Sequence, residues 1–122
     1  RCAYERAAGF DIPCVRNADS LPGTPSVISS GICIEPPDGY FIQLHLRSSS
    51  AKRGLILQAG IIDSDYRGII QFVIFNSSPS VFSIRKGNYI VQGILNKHYP
   101  ISPIISDNLS TTLRQNQGFG SS

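Results

Sequence analysis

Closely spaced metal ligands, basic tracts and long apolar runs are all missing from this chain. Its three cysteines, Cys2, Cys14 and Cys33, are odd in number and share no short spacing such as C-x-x-C. That argues against a disulfide framework and against zinc, and the thiols read as the reduced cysteines of an intracellular protein. No apolar stretch approaches the roughly 18 residues that a helical membrane span requires, and no signal-peptide pattern opens the chain. The expectation is therefore a soluble protein of cytoplasm or nucleus with no membrane partner. Eleven Lys and Arg against eight Asp and Glu leave a net charge of +3, scattered along the sequence. Such scatter argues against a nucleic-acid surface and suits a small polyanionic ligand. P-loop and Rossmann glycine patterns are absent as well. His45 and His98 have no serine or carboxylate at a triad-like spacing, so both read as surface histidines.

Helical periodicity is equally scarce. No window carries apolar residues at i, i+3, i+4 and i+7 over ten positions, and only Ser49 to Arg53 reads as a short turn. What is present instead is a series of short apolar runs between Gly, Pro, Ser and Asn clusters: Ser26 to Ile34, Tyr40 to Leu46, Leu55 to Ile62, Ile69 to Phe75, Val81 to Ile84 and Tyr89 to Leu95. This spacing predicts an all-β fold, and at this length a single domain covering residues 1–122. Tyr40, Ile42, Leu44 and Leu46 alternate with Phe41, Gln43, His45 and Arg47, which puts Arg47 on the polar face at a strand end. Ile69 to Phe75 is apolar at nearly every position, as expected of a strand covered on both faces, one of them by another subunit. Residues 106–122 are polar, irregular and rich in glycine, and predict a flexible tail.

Four segments carry candidate chemistry. Gly60 to Gly68, Gly-Ile-Ile-Asp-Ser-Asp-Tyr-Arg-Gly, sets Asp63 and the Tyr66 ring at the tip of an expected hairpin, although an ordinary polar turn would read the same way. Arg47-Ser48-Ser49 at a strand end offers a cation, hydroxyls and backbone donors, as many strand ends do. Gln92 is an amide inside an apolar strand, where a structural hydrogen bond explains it as well as a ligand does. Arg114 followed by Gly118-Phe119-Gly120-Ser121-Ser122 unites a guanidinium, free backbone amides, hydroxyls and one aromatic face, or is simply a Gly/Ser tail.

Taken together these segments resemble the five ordered motifs of the trimeric dUTP diphosphatases (dUTPases). The first is Ala8-Gly9-Phe10-Asp11; the second Arg47-Ser48-Ser49, preceded by Pro37-Asp38-Gly39-Tyr40; the third Gly60 to Gly68; the fourth Gly87-Asn88-Tyr89-Ile90-Val91-Gln92; the fifth Arg114 with Gly118 to Ser122. The resemblance implies a jelly-roll-like (β-clip) fold assembled as a homotrimer, with active sites shared between subunits and residues 106–122 acting as a C-terminal arm and lid. It further implies hydrolysis of dUTP to dUMP and diphosphate, which limits uracil incorporation into DNA. In that scheme Asp63 activates a water for attack on the α-phosphorus. Gly60, Tyr66, Gln71 and Phe119 bind the nucleoside, and Arg47, Ser48, Ser49, Gln92, Arg114, Gly120, Ser121 and Ser122 bind the phosphates. Mg²⁺ is the implied cofactor, with Asp11 reaching it through water.

The sequence departs from the family pattern in three places, the mildest being Ser49 where glycine is also common. Gln115 stands where glycine is usual, and Tyr89-Ile90-Val91 replaces the usual Arg-Ile-Ala; the eroded motif and compact length fit a viral source. Two other readings compete with this one. A dCTP deaminase needs a glutamate in the strand after the hairpin, where Val73 stands. A catalytically inactive interaction module would have little use for Asp63, Tyr66, Arg114 and Phe119 together.

Overall fold

A computed structural model describes residues 6–120. Nine strands and one short helix follow in the order β1 (Phe10–Pro13), β2 (Ala18–Ser20), β3 (Pro25–Ser29), β4 (Tyr40–Leu46), α1 (Ser48–Lys52), β5 (Leu55–Ala59), β6 (Ile61–Ile62), β7 (Gln71–Asn76), β8 (Phe82–Ile84) and β9 (Tyr89–Lys97). They form three antiparallel sheets, β1-β9-β4-β6, β3-β7-β5 and the pair β2-β8. The all-β expectation holds, and the one helix falls where a turn was read.

The core explains the strand choice. Ile42 and Leu44 of β4, Phe72 and Ile74 of β7, Ile84 of β8, and Ile90 and Val91 of β9 are buried, together with Ile12, Cys14 and Leu55. Alternation along β4 is as the sequence implies, with Ile42 and Leu44 inward and His45 exposed. Along β7 only one face is buried within the chain: Phe72, Ile74 and Asn76 are inside, while Gln71 is exposed and Val73 and Phe75 are half-buried.

One expected strand divides. Leu55 to Ile62 reads as a single run, yet the chain leaves the β5/β7 ladder at Ala59, after a bulge at Gln58, and resumes as β6 against β4. Gly60 makes the crossing. Leu44 N–H donates to its carbonyl at 2.6 Å, and a Cβ on Gly60 would lie 3.1 Å from the Leu44 carbonyl oxygen, so the two backbones approach as only glycine comfortably permits. Asp63 therefore sits not at a tight hairpin tip but in a wide loop between β6 and β7. The run expected from Ser26 to Ile34 likewise ends as a strand at Ser29, although Ser30 N–H donates to the Ile70 carbonyl and Ile70 N–H to the Ile32 carbonyl, each at 2.9 Å. After β9 the described residues of the tail are almost all exposed and contain no strand. No helix among the described residues is long and apolar enough to cross a membrane.

Candidate active site

The register of the β1-β9-β4 sheet gathers the first, second and fourth motifs into one place. Asp11 on β1 stands opposite Gln92 on β9, and Gln92 opposite His45 on β4, so one polar row crosses three strands. Gly9 lets the Gln92 side chain lie flat across β1, because a Cβ there would meet both Gln92 Oε1 and the Gly93 carbonyl oxygen at 2.9 Å. At the end of β4 the Arg47 N–H donates to the Ile90 carbonyl at 2.9 Å, which pins the turn into α1 and sets Ser48 and Ser49 at its first turn.

Arg47, Ser48, Ser49, Gln92 and Asp11 line one cleft of about 400 Å³ with Ala7, Ala8 and Gly9. Asp11 is only 6 % exposed and lies 3.5 Å from Arg47 Nε, so its buried carboxylate is paired rather than stranded. Arg47 Nη1 donates to the Tyr89 carbonyl at 3.3 Å. The guanidinium is thus held from two sides, with the first-turn serines beside it. Hydroxyls, an amide and a fixed cation facing one cavity are groups chemically suited to bond an anion.

A second cleft, of about 410 Å³, is lined by Asp63, Tyr66 and Gln71 together with the apolar Val27, Ile61, Ile62 and Val73. Its loop is well tied. Tyr66 N–H donates to the Asp63 carbonyl at 3.1 Å, and the Tyr66 hydroxyl donates to the Ile69 carbonyl at 2.8 Å. The ring can fold back only because residue 68 is glycine, whose Cβ position falls against the phenol. Asp63 is exposed, and its carboxylate has no ion-pair or hydrogen-bond partner among the described residues. Among the described residues it is the only acid lining that cleft, and on β7 the lining residues are Gln71 and Val73.

The remaining predicted residues lie apart from these clefts. Gly60 lines a separate groove beside His45 and Gln58, with its carbonyl already engaged by Leu44. Arg114 bonds within its own segment, Nε donating to the Gln117 carbonyl at 2.6 Å, and Phe119 and Gly120 are exposed. No described residue of the arm lines either cleft. Ser121 and Ser122, like Cys2, lie outside the described residues.

Among the described residues no three His, Cys, Asp or Glu side chains cluster to hold a metal. A single buried carboxylate, already beside an arginine, cannot cage Mg²⁺, but this donor set fits a hydrated ion carried largely by phosphate oxygens. Gly9 and Arg67 stand inside the first and third motifs, but only the structure shows what each touches: Gly9 makes room for Gln92, and Arg67, which lines neither cleft, bonds the Ser64 and Tyr66 carbonyls.

The dUTPase family model matches residues 1–122. The chain belongs to the dUTPase family. Similar relatives include the deoxyuridine 5'-triphosphate nucleotidohydrolases of Hydrogenobaculum sp., 37% identical over 98% of this chain and 85% of the relative, and of Helicobacter pylori strain P12, 32% identical over 96% and 83%. Among solved structures, the native EIAV dUTPase superposes with a TM-score of 0.79 at 28% identity, covering 88% of this chain and 90% of its own. The Staphylococcus bacteriophage 80alpha dUTPase with dUPNHPP reaches a TM-score of 0.89 over 100% of this chain and 89% of its own; at 22% identity that likeness speaks for the fold. As a dUTPase-family chain, this one carries the jelly-roll-like fold that its sequence implied.

Proposed function

We propose that this dUTPase-family enzyme hydrolyses dUTP to dUMP and diphosphate in a site built from both clefts, each supplied by a different copy of the chain. The observation that carries the reading is the sorting of side chains. The exposed Asp63 carboxylate and an aromatic ring share one apolar cleft, while the other holds a guanidinium paired with the buried Asp11, hydroxyls and an amide. Neither cleft alone could both hold a triphosphate and deliver a nucleophile to it.

In this scheme Asp63 accepts a proton from a water as its oxygen bonds to the α-phosphorus, and the bond from that phosphorus to the bridging oxygen breaks to release diphosphate. The carboxylate must stand within roughly 3 Å of the water, and its freedom from ion pairing suits it to the proton. Tyr66 supports the deoxyribose and crowds a 2′-hydroxyl, while the backbone of Gln71 in the same cleft reads uracil. Ser48, Ser49, Gln92 and Arg47 hold the phosphates. Arg114, Phe119, Gly120, Ser121 and Ser122 close over the nucleotide from a third copy. Bound Mg²⁺ would neutralise the phosphate chain, with Asp11 ordering water next to it. The chain's own contribution is then mostly positioning and charge stabilisation.

The test is Mg²⁺-dependent release of diphosphate from dUTP, set beside an Asp63→Asn variant. We expect dUTP turnover by the wild type, with kcat reduced on the order of 10²-fold or more in Asp63→Asn and nucleotide affinity kept. A wild-type chain inert toward dUTP sinks the activity, and an Asp63→Asn variant with undiminished kcat sinks the assignment of the base.

A further inference from the structure

The loop that presents Asp63 and Tyr66 is exposed and contains no regular structure, yet a catalytic carboxylate must be held to within a fraction of an ångström. Something has to fix it. Arg67 is positioned to do so: its Nη1 donates to the carbonyls of Ser64 at 2.8 Å and Tyr66 at 3.2 Å, gripping the loop backbone just after Asp63. Its Nη2 lies 3.1 Å from Glu35 Oε1. Glu35 belongs to no motif. It follows the 30–32 segment that is bonded to Ile70 on both sides, so the carboxylate stands on backbone tied to the start of β7.

We propose that Arg67, oriented by Glu35, is a positioning residue for the hydrolysis: it locks the turn that aims Asp63 at the water and Tyr66 at the sugar. The inference rests on the dUTP-hydrolysis reading above. A planar guanidinium can serve two carbonyls and a carboxylate at once, which an ammonium cannot do with the same fixed geometry. The side chains are 53 % and 74 % exposed, and ion pairs so exposed add little to global stability. The effect of losing Arg67 should therefore appear in the aim of the loop far more than in the stability of the fold.

The experiment measures kcat and KM with dUTP and with UTP for the wild type, Arg67→Ala, Arg67→Lys and Glu35→Ala, with amide exchange followed over residues 63–69. For Arg67→Ala we expect kcat for dUTP to fall on the order of 10- to 100-fold, since small misplacements of reacting groups carry costs of that size. Discrimination against UTP should narrow, exchange over 63–69 should accelerate several-fold, and Tm should stay within about 3 °C. Arg67→Lys should fall between Arg67→Ala and the wild type, and Glu35→Ala should shift the same quantities in the same direction by less. Wild-type kcat and discrimination in Arg67→Ala, or in both other variants if Arg67→Ala does not fold, would overturn the proposal. If the wild type proves inert toward dUTP, exchange alone decides: unchanged protection over 63–69 on losing Arg67 rejects the brace, separately from the failure of the activity.

Discussion

Cys14 shows how one buried side chain can set a pH limit on a fold. It is 1 % exposed, and burial alone pushes its thiol from 9.0 to about 11. A raised pKa means that the folded chain holds the proton more tightly than the unfolded one. The contribution is therefore complete below pH 9, declines as the unfolded thiol ionises, and is exhausted once pH passes about 11. Two pKa units correspond to about 2–3 kcal/mol. Urea unfolding of the wild type and of Cys14→Ala at pH 8 and pH 11 should show the difference between them shrinking by about that much. A difference that does not change with pH would show that the thiol is not desolvated as its burial implies. Cys33, exposed on the surface, differs from Cys14 in a way the bare sequence does not reveal, since both occur in similar apolar-polar surroundings and only the packing tells them apart. The same holds for Asn76. Its Nδ2 donates to the carbonyls of Ser20 and Ser80, at 2.8 and 2.7 Å, and its Oδ1 accepts from Ser78, so one fully buried amide ties three segments together. Ser78 and Ser80 are close neighbours, but Ser20 lies 56 residues away, and nothing in the local pattern names it.

At the scale of elements, legibility followed locality. β4 could be read because its alternation is a property of seven consecutive residues, and α1 because three serines and an alanine allow a turn wherever the strand lets go. The division of the 55–62 run at Gly60 could not be read, because it is caused by a backbone approach from Leu44. The arm is an intermediate case. Its composition predicts a flexible tail; all its described residues but Gly118 are exposed, and the turn that shapes it is specific. Thr112 and Gln115 exchange side-chain-to-backbone bonds at 3.2 and 3.3 Å, Arg114 closes onto Gln117, and Gln115 adopts φ of 50°. That left-handed backbone gives a physical reason for the family's preference for glycine at this position, and Gln115 bears a cost on the order of 1 kcal/mol there. The described residues of the arm lie outside the buried core, so its removal should leave the fold intact. Deleting residues 114–122 should leave Tm nearly unchanged and lower kcat by about 10³-fold, the scale on which a transition-state arginine acts. A truncated chain that turns over dUTP at the full rate would show that the segment is no lid.

At the scale of the whole molecule, the proposed base Asp63 and the proposed phosphate cradle open into different clefts. The half-exposed face of β7 and the exposed Val27, Ile56, Ile61 and Ile69 offer apolar surface for neighbouring copies, and a closed three-fold ring would bring one cleft of each copy against the other cleft of the next. The resemblance to trimeric enzymes suggested this from sequence, whereas the residues alone could not, because no local pattern encodes which copy supplies which group. Mixing decides it. Asp63→Asn chains keep the cradle and lose the base, and Gln92→Ala chains keep the base and weaken the cradle, so each alone should be nearly inactive. Unfolded together in equal amounts and refolded, they would form rings in which a site needs an intact cradle from one copy and an intact base from its neighbour. Random assembly fulfils both conditions in roughly one site in four, so activity should return to about a quarter of the wild-type level, in a particle with the mass of three 13.3 kDa chains. Sites confined to single chains would recover nothing on mixing, since no chain in the mixture carries both groups, and that result would end the shared-site reading while leaving the fold untouched.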